Sequence, residues 1–187
     1  MVVGRGSSYQ LSLVALQNGN SSLQPSMNTF RILRVGWIFL MSAIVVRSAE
    51  IRTFRLPTLC MQPTIPQNAL INVSLDDSYR SKIQRFDIIA YKFEEGGFKG
   101  QTHIKRVIGL PGEEIQIREQ EVTINGSPLQ LPSSIDKVGL ALKVTKLRIP
   151  DDAVFVLGDY TRNSADSRYI GPIPLHEVLG QFIGLKE

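Results

Sequence analysis

The sequence predicts a mainly β fold, an antiparallel sheet domain preceded by one N-terminal helical segment. Three observations predict it. Prolines at positions 57, 63, 66, 111, 128, 132, 150, 172 and 174 forbid long helices through the C-terminal two thirds. Short apolar runs rich in β-formers recur between them, as in Phe86-Asp87-Ile88-Ile89-Ala90-Tyr91 and Val154-Phe155-Val156-Leu157. Ile115 and Ile117 alternate, and Val122-Thr123-Ile124 leads into Asn125-Gly126, a strong hairpin-turn signal.

Taken in order, residues 1–29 are rich in Ser, Gln and Asn, carry no acid and show no sustained periodicity, which is the pattern of a disordered tail. Residues 35–46 are uncharged and mostly apolar, with Trp37 near their start. As a helix, a dozen residues cover roughly 18 Å, against about 30 Å of hydrocarbon in a bilayer. Extending the helix over 30–49 reaches a spanning length if Arg31, Arg34 and Arg47 snorkel into the headgroups. Length alone favours a buried core helix over a span. From residue 50 onward strands dominate, and only Leu175 to Phe182 reads as a short helix.

Charge and cysteine usage narrow the function classes. The 187 residues carry a net charge of +4, and all of the excess lies before Glu50, where Arg5, Arg31, Arg34 and Arg47 face no acid. No basic stripe with interleaved aromatics runs along any element, so nucleic acid is not expected as a partner. One cysteine allows no internal disulfide. With His103, His176 and Cys60 scattered, no ligand spacing for a metal exists, and no cofactor is expected.

Four blocks carry chemistry. The apolar stretch ending Val45-Val46-Arg47 is followed by Ile51-Arg52-Thr53-Phe54; then come Leu56-Pro57-Thr58-Leu59-Cys60-Met61-Gln62-Pro63-Thr64, Ile104-Lys105-Arg106-Val107-Ile108-Gly109-Leu110-Pro111-Gly112-Glu113, and Gly158-Asp159-Tyr160-Thr161-Arg162-Asn163-Ser164-Ala165-Asp166-Ser167-Arg168. In this order they resemble the type I signal peptidases, membrane-anchored serine proteases with a Ser-Lys dyad. The resemblance spans Val35 to the C-terminus. It departs from the family at Cys60, which stands where the family has serine, and at Tyr160, where the family usually has Asn.

The resemblance implies a signal-peptidase catalytic domain over 50–187, a single transmembrane anchor over 30–49, and a single-pass membrane protein with its catalytic domain on the extracytoplasmic or lumenal side. Arginines on both flanks of the apolar stretch leave orientation undecided by charge. The implied activity is removal of N-terminal signal peptides from translocated preproteins after small residues of the A-x-A kind. Preprotein signal peptides, the lipid bilayer and the protein-export machinery are the implied partners. A catalytically weakened relative that binds preproteins or a peptidase partner is the alternative, and a soluble self-cleaving repressor-type protease, which shares the fold, is disfavoured by the apolar segment and the last block.

Residue by residue, the resemblance makes Cys60 the nucleophile and Lys105 the general base, with Thr58 and the Cys60 N–H as oxyanion donors. Ser164 would orient the lysine, Asp166 and Arg168 would form a supporting ion pair, and Asp159 would support the same wall. An exposed lysine titrates near 10.4 and cannot accept a proton at neutral pH, so this role requires burial close to the sulfur, with Ser164 nearby. Ile104, Val107, Ile108 and Leu110 offer such a setting, and on a strand Arg106 projects to the other face. His103, two residues before Lys105 and on the same face, is a second candidate base for thiol chemistry. As plain sequence, Cys60 also fits a small buried apolar residue and Thr58 a local turn former.

Overall fold

A computed structural model describes residues 49–93, 99–143 and 145–187. Eleven strands in these segments form two antiparallel sheets. The larger sheet has the order β1-β2-β11-β3-β4-β9-β10, with β1 at Glu50–Arg55, β2 at Leu70–Leu75, β3 at Ile88–Lys92, β4 at Thr102–Gly109, β9 at Ala153–Leu157, β10 at Ile173–Pro174 and β11 at Val178–Leu185. Between β4 and β9 the chain builds the smaller sheet, in the order β7-β6-β5-β8: β5 Glu114–Arg118, β6 Glu121–Ile124, β7 Ser127–Pro128 and β8 Thr145–Arg148.

The local chemistry accounts for these elements. Asn125 and Gly126 both take positive φ, 51° and 79°, as a two-residue hairpin turn between β6 and β7 requires. Ile115, Ile117, Val122 and Ile124 point inward on one face of the small sheet and pack with Ile149, Phe155 and Leu157. Both faces of the large sheet are covered around β3, β4 and β9. Ile88, Ala90 and Ile104 pack with Cys60, Met61 and Ile65 on one side, while Ile89, Tyr91 and Val107 pack with Val154, Val156 and Val178 on the other. From Ile104 onward β4 is covered on both faces and its side chains are buried, which is why it holds Lys105 and Arg106 away from water.

One expected element is corrected. Leu175 to Phe182 is not a helix: Leu175–Glu177 forms a single 3-10 turn after Pro174, and Val178 begins β11, which pairs with β2 and β3 in the middle of the sheet. Apolar residues at 175, 178, 179 and 182 mimic a helical face, but sheet pairing overrides the local pattern. Gly180 marks this in retrospect, because a Cβ there would collide with the backbone of Ser74. The expected tail and nearly all of the expected anchor segment, 30–49, lie outside the described residues, and no helix among the described residues is long and apolar enough to cross a membrane.

Candidate active site

The site forms where β9 ends. The register of β9 on β4 begins with Leu157 opposite Arg106, so Thr102 to Lys105 have no β9 partner. The turn carrying Cys60 fits against this part of β4. That turn is closed by Gln62 N–H donating to Leu59 O at 2.9 Å and Ile65 N–H to Met61 O at 2.9 Å, and Gln62–Pro63 is a cis peptide. Residues leaving β9 lean on it directly. Tyr160 N–H donates to Cys60 O at 3.0 Å, and a Cβ at Gly158 would fall 2.5 Å from the same carbonyl oxygen, so only glycine lets the two backbones meet.

Cys60 and Lys105 are 5% and 3% exposed. Lys105 Nζ donates to Cys60 Sγ at 3.1 Å and to Ile104 O at 3.1 Å. Thr58 Oγ1 also donates to Cys60 Sγ at 3.1 Å, and the sulfur faces Ile104 O at 3.9 Å. The sulfur is thus an acceptor for two donors from different segments. In this state the Thr58 hydroxyl is committed to the sulfur. An oxyanion formed beside Cys60 would have to recruit it by rotation about its side chain.

Ser164 sits beside Gly158, whose added Cβ would strike Ser164 Oγ. Its hydroxyl is buried and makes no hydrogen bond, so the partner orienting Lys105 here is the Ile104 carbonyl rather than Ser164. Asp166 and Arg168 form a fully buried ion pair, Nε to Oδ1 at 2.8 Å, and Asp166 also accepts the Gly158 N–H at 3.1 Å. Arg168 extends the support outward, donating to Gly139 O at 2.6 Å and Thr161 O at 2.7 Å.

Asp159 has a partner that sequence reasoning did not find. Arg106 grips it with two bonds, Nε to Oδ1 at 2.8 Å and Nη2 to Oδ2 at 2.6 Å, and also donates to Phe86 O at 2.9 Å. The strand alternation that sends Lys105 toward the sulfur sends Arg106 to the opposite face, but nothing local announces a partner 53 residues away. Thr64 joins the same pair, donating to Asp159 Oδ2 and accepting from Arg106 Nη2 at 3.2 Å.

His103 lies half-buried on β4 with its ring stacked on Tyr91 at 5.5 Å and edge-on to Phe93 at 5.4 Å. Burial, and then the charge of Lys105, push its pKa below the usual histidine value. No hydrogen bond joins it to Cys60, whose sulfur is held by Thr58 and Lys105. Tyr160, the departure from the family pattern, is half-buried with the Arg162 guanidinium 5.3 Å from its ring. Among the described residues no group of three or more His, Cys, Asp or Glu could hold a metal ion.

The family model "Signal peptidase, peptidase S26" matches residues 29–184. A probable signal peptidase I-2 from Synechocystis is 32% identical over 150 residues, covering 75% of this chain and 67% of that protein. Signal peptidase I V of Bacillus subtilis is 30% identical over 160 residues, covering 78% of this chain and 91% of its own length. A crystal structure of a signal peptidase I from Enterococcus faecalis aligns with 54% of this chain and 97% of its own at 33% identity and a TM-score of 0.47. With residues 29–184 matched, this protein belongs to the signal peptidase family, peptidase S26, a family of endopeptidase hydrolases.

Proposed function

We propose that this chain is a signal peptidase that cleaves preproteins after small residues of the A-x-A kind through a thiol, with Cys60 as nucleophile and Lys105 as general base. The observation that supports this reading most is the buried 3.1 Å contact between Lys105 Nζ and Cys60 Sγ. It lies within the distance over which a base can take a proton directly.

In the proposed reaction the Cys60 proton passes to Lys105 as sulfur attacks the scissile carbonyl carbon. The oxyanion that forms is held by the Cys60 N–H and by the Thr58 hydroxyl, which turns from sulfur to oxygen. Collapse breaks the C–N bond, and Lys105 returns its proton to the departing amine of the mature protein. The signal peptide is left as a thioester on Cys60. Lys105 then takes a proton from water, hydroxide equivalent adds to the thioester carbonyl, and the thiolate leaves and is reprotonated by Lys105. Asp159, Asp166 and Arg168 act by holding the walls. The stretch Thr102 to Lys105 of β4, paired with β3 but without a β9 partner, offers a free edge on which an extended peptide can lie.

The same reading places the chain in a membrane by a span within 30–49, single-pass, with the catalytic domain outside the cytoplasm or in a lumen, where preproteins and the export machinery meet it. The uncharged run 35–46 with arginines on both sides supports it.

Cleavage of a preprotein bearing a small-x-small site by the full chain in detergent tests the activity. Wild type should cleave, Cys60→Ala and Lys105→Ala should not, alkylation should block, and His103→Ala should retain activity. Cys60→Ser should cleave at least as fast, because a site that fits oxygen accepts the shorter bond. If wild type is inert while Cys60→Ser cleaves, the chain is a non-cleaving relative that binds preproteins or a peptidase partner. If wild type cleaves and Cys60→Ala cleaves equally, the nucleophile is another residue.

A further inference from the structure

The two reacting side chains sit on separate segments, Cys60 on the turn after β1 and Lys105 on β4, and a few tenths of an ångström decide whether a proton can pass between them. The backbone alone does not set that gap. Each segment carries a second side chain close to its reacting one, Thr64 four residues after Cys60 and Arg106 immediately after Lys105. These two meet each other: Arg106 Nη2 donates to Thr64 Oγ1 at 3.2 Å, and the Thr64 O–H goes to Asp159, itself held by Arg106 through both carboxylate oxygens. Arg106 is fixed in turn by Phe86 O. The Thr64 hydroxyl therefore uses its proton and a lone pair in one half-buried junction of three segments: the Cys60 turn, β4 and the residues after β9.

We infer that Thr64 is a positioning residue for the Cys60–Lys105 pair. It touches neither the sulfur nor the amine. It ties the nucleophile turn to the strand that carries the base, and it is the only one of the three junction side chains that belongs to the turn itself. The Arg106–Asp159 pair closes without it, so removing the hydroxyl frees the turn and leaves the buried charges matched. The inference rests on the reading of Cys60 and Lys105 as a working pair, and its test is chosen to read the pair without any peptide substrate.

Cys60 is the only cysteine, so labelling of the full chain by iodoacetamide at neutral pH reports on this one sulfur. Lys105→Ala sets the slow limit. Thr64→Val, which keeps the shape and removes both hydrogen bonds, should lower the labelling rate by about tenfold toward that limit, the scale expected when a reacting geometry loosens by a fraction of an ångström. Thr64→Ser, which keeps the hydroxyl, should label within about twofold of wild type. Loss of fold cannot imitate this result, because unfolding exposes a thiol that is 5% accessible and speeds labelling. Thr64→Val labelling at the wild-type rate or faster overturns the inference, as does Thr64→Ser falling as far as Thr64→Val. If Lys105→Ala labels as fast as wild type, the Cys60–Lys105 pairing fails first and the role of Thr64 falls with it.

Discussion

Replacing Arg168 by Met should be among the most damaging single changes in the described domain. Arg168 and Asp166 have no exposed side-chain surface. The guanidinium donates to both oxygens of Asp166, at 2.8 and 2.9 Å, and to the carbonyls of Gly139 and Thr161. Met fills similar volume but leaves the Asp166 carboxylate buried without its cation and two carbonyls without a donor. Breaking one side of a buried pair costs about 3–5 kcal/mol, against a total stability of about 5–15 kcal/mol for a domain. At about 3 °C per kcal/mol for a domain of this size, the midpoint of thermal unfolding should fall by about 10–15 °C. Thermal unfolding of Arg168→Met followed by circular dichroism measures it. Asp166→Asn with Arg168→Met should recover part of the loss, because the orphaned charge is gone while an acceptor for the Gly158 N–H remains. A loss under about 1 kcal/mol for the single variant, or a double variant no more stable than the single, would refute the reasoning.

His103 should contribute a distinct pH dependence to stability. Burial and then Lys105 depress its folded pKa, so its contribution is fully present above the unfolded value of about 6.5 and is lost as pH falls through the lower folded value. The urea midpoint of wild type should therefore fall relative to that of His103→Gln as pH is lowered from 7.5; parallel curves would show that the imidazole does not titrate as this environment requires. The membrane assignment predicts that the full chain stays with the bilayer on alkaline carbonate extraction, and release into the soluble fraction would remove the proposed span.

How much was legible in the sequence follows the range of the interactions. The hairpin at Asn125-Gly126 and the strands around Ile88, Ile117 and Phe155 were readable because turn chemistry and alternation are local. β11 was not, because Val178 to Leu185 is a strand only by virtue of β2 and β3 on its two sides. The meeting of Lys105 with Cys60 followed from motif order, and strand alternation correctly sent Arg106 the other way. What that second face does was hidden, since Asp159 and Thr64 reach Arg106 from 53 and 42 residues away. Ile104 O as the second acceptor of Lys105 was equally invisible, because every residue has a carbonyl and only the end of β9 leaves this one available.

Two buried ion pairs, Arg106 with Asp159 and Arg168 with Asp166, adjoin a site whose own chemistry needs neither. Stability does not explain them, because a buried pair replaced as a whole by well-packed apolar residues is often neutral or better. Position explains them. Arg106 binds β4 to the residues after β9 and, through Thr64, to the Cys60 turn. Asp166 holds the Gly158 N–H, and Gly158 is the residue whose missing Cβ admits the Cys60 carbonyl. Hydrogen-bonded charges in a dry interior have few alternative arrangements, whereas apolar contacts slide. The frame therefore fixes the backbone around position 60 without touching the atom at the end of its side chain. Such a frame is indifferent to whether that atom is oxygen or sulfur, and the consequence of cysteine at this position is confined to the sulfur itself: a longer bond, a larger atom, and a weaker acceptor for the Thr58 hydroxyl that donates to it.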